Sequence, residues 1–357
     1  MSTTHPFRFI QVGAGGFGGY WCTGVLPRLV QMGKIAPAAV VDINPENFKF
    51  AVEGYGISAE RCYTDARKAF DEVEADFAVV VVPPAFHEEI VNLAVEHGLD
   101  ILSEKPIADS MEACARIYQK VTGAGKKMAV TMSHRFDQDK QSLERRIKSG
   151  EYGKLDYIMG RNTWDYRKFP AWGAFRYQIP DPLLIEGTVH HFDIMRALSG
   201  SDPKTVYART WNPSWSDFQG DPQGLIFIEM LNGVKVVYEG ANTNASQLNG
   251  WGEDYWRAEC ELGTLELDQR KLRVITGARG RNATIKELPL ENQPVWTNPW
   301  LAEIFIDWLA GGEAPPNRLE DNIQCAALLF AAVESAHSGQ VVDVQAFLQK
   351  QLGTVAG

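Results

Sequence analysis

Lys105 stands between Glu104 and Pro106, and Glu186, His190, His191 and Asp193 fall within one stretch of eight residues. Both groupings are suited to moving a proton. Removing hydride from a secondary alcohol requires the hydroxyl proton to leave as the carbonyl forms, so such a site needs a base beside that oxygen. Histidine suits the task at neutral pH. On a helix, Glu186 and His190 are four apart and His190 and Asp193 three apart, so the three share one side. A carboxylate one turn away can hold the imidazole in one tautomer and stabilise its protonated form. This predicts His190 as general base, with Glu186 as its orienter or as acceptor for a substrate hydroxyl. His191, turned about 100° away by helical geometry, is placed on the substrate side. Carboxylate and histidine at helical spacing also suit a metal, but no complementary His pair or cysteine site accompanies them, and none is expected. Pro106 biases Lys105 toward an extended backbone. An ammonium so directed can bind the substrate oxygen and lower its pKa, or relay its proton. Glu104 can pair with Lys105 or face a nicotinamide ribose.

The elements that must position these groups begin with Gly13-Ala14-Gly15-Gly16-Phe17-Gly18. Upstream, Phe7 to Val12 reads as a buried strand. Downstream, Val25, Leu26, Leu29 and Val30 are near helical spacing. Strand, glycine turn and helix in that order form a dinucleotide-binding loop. Gly13 permits the tight turn, Gly15 lets the backbone approach a pyrophosphate, and Gly18 lets the helix pack close to the strand. Gly16 and Phe17 complete the loop at the helix N-terminus, where free N–H groups favour phosphate. A second strand, Ala38 to Val41, ends at Asp42, placed to accept ribose hydroxyls. No arginine follows it, so a 2'-phosphate would meet an unneutralised acid; NAD is expected, with NADP disfavoured. Pro27 should kink or shorten the first helix.

Strands and helices continue to alternate through Phe77–Val82, His87–His97, Asp100–Ser103, Met111–Thr122 and Lys127–Met132, which predicts a doubly wound parallel sheet. The strand ends carry Pro83 to His87, Glu104 to Pro106, and His134-Arg135-Phe136 to one edge, where ligands bind in such sheets. Beyond about Ser133 the texture turns to aromatic-rich and β-rich runs, including Leu225–Leu231, Val234–Glu239 and Leu272–Thr276. The fold class expected is α/β: a Rossmann domain over residues 1–133, then an α+β substrate-binding and oligomerisation domain over residues 134–357 with a largely antiparallel, open-faced sheet. The 357 residues, 45% hydrophobic and 22% charged, can bury sizeable cores. A formal charge of −10 without a basic run speaks against nucleic acid. No apolar stretch of membrane-spanning length and no leader-like start is present, and five scattered cysteines form no C-x-x-C; a cytoplasmic protein with reduced thiols is expected.

The joint order of these motifs resembles the glucose-fructose oxidoreductase, inositol dehydrogenase and rhizopine-catabolism family of NAD(P)-dependent oxidoreductases. Its marks are matched by Pro83-Pro84-Ala85-Phe86-His87, by Glu104-Lys105-Pro106, by Glu186-Gly187-Thr188-Val189-His190-His191-Phe192-Asp193, and by a closing segment over Asn322 to Val344. The resemblance implies that Pro83, His87, Glu104, Lys105 and Pro106 join the glycine loop and Asp42 around the cofactor. It also implies that Lys105, His190 and Glu186 are catalytic, and that a homodimer or homotetramer forms. Glu186 departs from the family's usual Asp, and Asp181-Pro182-Leu183-Leu184-Ile185 replaces a glycine-rich stretch.

Aromatic rings cover the C–H faces of sugars while charged groups take their hydroxyls. On that ground Trp172 and Arg176, with His134, Arg135 and His191, are candidate substrate residues, and Trp251, Tyr255 and Trp256 a second wall. The expected substrate is a sugar, glycoside or cyclitol whose secondary hydroxyl is oxidised. Two alternatives share the fold: a glycosidase that oxidises transiently, eliminates and returns the hydride, and a non-catalytic dinucleotide sensor.

Overall fold

Six short runs of apolar and β-branched residues line up side by side in the first part of the chain: β1 (Phe7–Val12), β2 (Ile35–Val41), β3 (Cys62–Tyr63), β4 (Phe77–Val80), β5 (Asp100–Ser103) and β6 (Met128–Val130). The computed structural model describes residues 5–277 and 283–355. All the pairings in this sheet are parallel, in the order β3-β2-β1-β4-β5-β6. That is the doubly wound order, whose sequence reverses beside β1 and opens a crevice at the strand ends. Every residue of β4 is buried, as expected of a parallel strand covered on both faces.

The chain folds into two compact units. Of the described residues, the first holds 5–133, 295–323 and 351–355; the second holds 134–277, 283–294 and 324–350. Residues 295–323 and 351–355, expected from the sequence in the second domain, therefore pack with the parallel sheet. The reason is visible in the helix Thr297–Leu309: Phe305 meets Phe77 at 5.7 Å, and Glu303 pairs with Arg28 at 2.6 Å and Lys34 at 3.0 Å.

The stretch after the glycine loop is not one helix. It runs as an α-helix over Phe17–Tyr20, a π-helix over Trp21–Val25 and an α-helix over Leu26–Gln31. Pro27, in the first turn of the last piece, has no N–H to return to the preceding turn, and the wider π turn takes up the difference. β4 stops at Val80, short of the expected Val82, because Pro83 and Pro84 lead into a tight turn over Pro84–Phe86.

In the second unit nine strands form one sheet: β7 (Leu155–Thr163), β8 (Pro203–Trp211), β9 (Gln223–Met230), β10 (Lys235–Ala241), β11 (Tyr255–Cys260), β12 (Gly263–Asp268), β13 (Lys271–Thr276), β14 (Thr284–Leu288) and β15 (Val342–Asp343). Their order is β14-β13-β12-β11-β7-β10-β9-β8-β15, antiparallel except where β7 meets β10. Side chains alternate in and out along β9 and β10. Ile226, Ile228, Val236 and Tyr238 are buried, whereas Tyr207, Phe227 and Val237 form an exposed row across three strands. Helices Gln138–Lys148 and Val189–Ser199 pack on strands of this sheet. All five cysteines are free thiols. Among the described residues no helix is long and apolar enough to cross a membrane.

Candidate active site

The glycine loop turns at the end of β1. Gly13 has φ +92°, and a Cβ there would lie 2.0 Å from the Val81 carbonyl oxygen; at Gly18 it would lie 2.4 Å from the Gly13 carbonyl oxygen. Neither position admits another residue. Gly16 and Phe17 are exposed, with open space around Gly16. Asp42 follows β2 and closes the loop from below. Its Oδ2 accepts from Ala14 N (2.7 Å) and Gly15 N (2.9 Å), and its Oδ1 from Asn44 N (2.9 Å) and Asn47 Nδ2 (3.0 Å). Burial works to raise its pKa, but these four donors outweigh it and hold the carboxyl below its usual range. Among the described residues no ion pair neutralises Asp42. A glycine cradle with an open outer face and an ionised acid at the next strand end fits a dinucleotide.

At the end of β5, the Glu104 carboxylate is buried. Its Oε1 accepts the indole N–H of Trp21 at 2.8 Å, and its Oε2 accepts Lys105 N at 3.2 Å. Burial pushes the Glu104 carboxyl up. Lys105 itself is half-buried, and the Lys105–Pro106 bond is cis. His87, expected beside the cofactor, is instead 0% exposed. Its Nδ1 lies 2.9 Å from the Pro106 carbonyl and its Nε2 2.9 Å from the Val82 carbonyl. The imidazole thus lies between the turn after β4 and the Glu-Lys-Pro segment; burial lowers its pKa, and the neutral ring donates to one of the two carbonyls. Pro83, at the mouth of that turn, is exposed.

In the second unit the Glu186 to Asp193 stretch is split: residues Leu183–Thr188 form a π-helix and Val189–Ser199 an α-helix. Glu186 is gripped by Arg176, whose Nε and Nη2 lie 3.1 and 3.0 Å from Oε2. The guanidinium lies over Trp172 (5.0 Å) and Phe175 (4.5 Å), and Trp164, Tyr166 and Trp172 stack in series at 4.9 and 5.4 Å. This is a flat aromatic wall ending in a charged pair. Arg135, expected to meet substrate, is 8% exposed and turns inward to Asp193 at 3.4 Å. Arg196 approaches the same Asp193 oxygen at 3.8 Å, so two arginines neutralise that carboxylate.

His134 and His191, also expected on the substrate side, lie in a buried polar cluster. His134 Nε2 is 3.0 Å from Asp254 Oδ1, and Lys140 Nζ is 2.8 Å from the same oxygen. Asp254 Oδ2 accepts the Trp256 indole N–H. His191 Nδ1 meets the Tyr238 hydroxyl at 2.8 Å, and burial drives its pKa down to about 3, so it is neutral in working conditions. Burial alone would raise Asp254, but Lys140 and His134 outweigh it and hold the carboxylate well below its ordinary range. His134, His191 and Asp254 offer ligand atoms within 4.8 Å of one another. The carboxylate, however, already faces an ammonium, so Lys140 supplies the positive charge a metal would bring. Trp251 covers the cluster: it stacks on His134 at 4.1 Å and meets His190 at 4.9 Å, nearly edge-on. His190 is 6% exposed. Lys140 and Asp254 carry no motif in the sequence; their only signal is a lysine and an aspartate at otherwise buried positions of a helix and of the approach to a strand.

A doubly wound sheet, a dinucleotide loop and a lysine at the edge where ligands bind define a nicotinamide-linked oxidoreductase. Residues 7–132 match the oxidoreductase family with the NAD-binding Rossmann fold, and residues 141–266 match the GFO/IDH/MocA C-terminal domain. An uncharacterized protein of Sinorhizobium fredii is 42% identical over 96% of this chain and 97% of its own. Inositol 2-dehydrogenase 2 of Saccharopolyspora erythraea is 33% identical over 80% of this chain and 81% of its own. Among solved structures, an oxidoreductase from Agrobacterium radiobacter in complex with NAD+, L-tartaric acid and magnesium superposes with TM-score 0.82 at 21% identity, covering 95% of this chain and 99% of that one. The chain belongs to the Gfo/Idh/MocA family of oxidoreductases.

Proposed function

We infer that the protein oxidises a secondary hydroxyl of a sugar, glycoside or cyclitol with NAD as hydride acceptor. The observation that carries the reading is the Asp42–glycine loop unit at the ends of β1 and β2, in a chain that retains Lys105 and His190. Bound NAD supplies the hydride-accepting carbon. The chain's own groups then handle the oxygen: the Lys105 ammonium stabilises the developing alkoxide, and His190 takes the hydroxyl proton. Asp42 favours NAD over NADP because an ionised acid repels a 2'-phosphate. The aromatic wall of Trp164, Tyr166 and Trp172, ending in Arg176 and Glu186, supports a substrate that offers both C–H faces and hydroxyls. An inositol dehydrogenase among the relatives supports the same class.

The exposed row Tyr207, Phe227 and Val237 supports a homo-oligomer paired through the open sheet face, which light scattering coupled to size exclusion tests. Five free thiols accord with a reducing cytoplasm. The functional test is nicotinamide absorbance with NAD and a panel of free sugars, glycosides and inositols, with products separated afterwards. Stoichiometric NADH and a ketone support the reading; glycosidic cleavage without accumulating NADH replaces it with transient oxidation.

A further inference from the structure

Asp254 is fully buried, yet it gathers three donors: Lys140 Nζ at 2.8 Å and His134 Nε2 at 3.0 Å on Oδ1, and the Trp256 indole N–H on Oδ2. Lys140 is itself 1% exposed and also touches Asp139 at 3.1 Å. Such a buried pair is a poor source of stability, because taking both charges out of water costs about as much as their attraction returns. What it supplies is direction. An ionised Asp254 requires a proton on His134 Nε2, and the contact sets the plane of the imidazole.

That plane is passed on. The His134 ring stacks on Trp251 at 4.1 Å with 19° between planes, and the same indole meets His190 at 4.9 Å and 76°. His134 and His190 also approach each other directly, ring centres 6.2 Å apart at 80°. Trp251 sits in a turn closed by Glu253 N on the Gly250 carbonyl at 2.9 Å, with Gly252 at φ +80°, and its indole is placed against the two imidazoles.

We propose that Lys140 and Asp254 are positioning residues for the reaction, fixing the attitude of His190 through His134 and Trp251. The proposal rests on the reading of His190 as base. Its energetic logic is that an imidazole displaced by about an ångström forfeits about a hundredfold in rate while binding stays intact.

The test begins on the unmodified protein. With 15N-labelled histidine, above neutral pH, His134 should show a single tautomer protonated at Nε2; a tautomer protonated at Nδ1 overturns the proposal without any variant. The second measurement replaces the ion pair by apolar side chains in the double variant Lys140→Met/Asp254→Leu; Asp139 loses its ammonium partner in the same change, so folding is checked first. The expected result is a folded protein with unchanged NAD affinity, a kcat about ten- to a hundredfold lower, and His134 signals split between tautomers. A folded variant whose kcat stays within about twofold of the parent overturns the proposal. Should that variant fail to fold, Lys140→Arg retains the charge with altered geometry: a reduced kcat at unchanged NAD affinity supports the positioning role, and an unchanged kcat overturns it. An unmodified enzyme that oxidises nothing in the panel removes the underlying reading of His190 instead, and that failure shows before any substitution is made.

Discussion

The indole N–H of Trp21 reaches Glu104 Oε1 across 2.8 Å, tying the π-helical segment behind the glycine loop to the end of β5. The other carboxylate oxygen accepts the backbone N–H of Lys105. The cofactor loop and the lysine segment are therefore joined through one buried acid. Replacing Trp21 with Phe should cost about 1–3 kcal/mol, because Glu104 then keeps its burial and loses a donor. NAD affinity should fall as well, since the loop loses its brace. Glu104→Gln retains an acceptor for the indole and should cost less. Thermal melts with NAD titration read both effects.

Asp42 plays two parts. Its four donors include two N–H groups of the glycine loop, so the carboxylate shapes the loop as well as setting cofactor choice. Ile43 beside it is 91% exposed and stands where a cationic residue could neutralise a 2'-phosphate. The double variant Asp42→Ser/Ile43→Arg should shift the ratio of kcat/KM for NADP over NAD by about tenfold or more, roughly 1.4 kcal/mol of discrimination. Initial rates with each cofactor check it; an unchanged ratio would remove Asp42 from cofactor selection.

His191 gives the protein an acid-sensitive core. Its folded pKa is depressed to about 3 by burial, against 6.5 for a free side chain. Between those values the unfolded chain binds a proton that the folded protein refuses, so stability is complete above about pH 6.5 and falls as the pH is lowered through that window. The slope from this residue is at most about 1.4 kcal/mol per pH unit. His191→Gln, which keeps a partner for the Tyr238 hydroxyl, should flatten this limb of the stability curve. Urea unfolding at a series of pH values measures it, and an unaltered slope would contradict a buried neutral His191.

What the chain reveals by itself follows from the range of the interactions. The parallel sheet is legible because each strand is a local apolar run and Gly13 to Gly18 is a local geometric demand. Pro27 marks the break in the first helix, but not the π turn that absorbs it. His87 misleads: its position after Pro83 marks it for the cofactor, yet its ring is buried between the carbonyls of Val82 and Pro106, and no local pattern announces the second of these. Arg135 likewise sits at a strand end but answers to Asp193, 58 positions along the chain. The His134–Asp254 contact joins residues 120 positions apart, with no spacing to betray it. The return of residues 295–323 to the first unit hangs on contacts such as Phe77 with Phe305, which composition cannot foretell.

The most direct measurement of the central claim is NADH formation by the unmodified enzyme and by Lys105→Met on the best substrate of the sugar and cyclitol panel, with NAD binding measured in parallel. The account expects NADH and a ketone from the unmodified enzyme, and turnover lowered by about a thousandfold or more in the variant at nearly unchanged NAD affinity. Full turnover without the Lys105 ammonium, or a reaction that never reduces NAD, would contradict it.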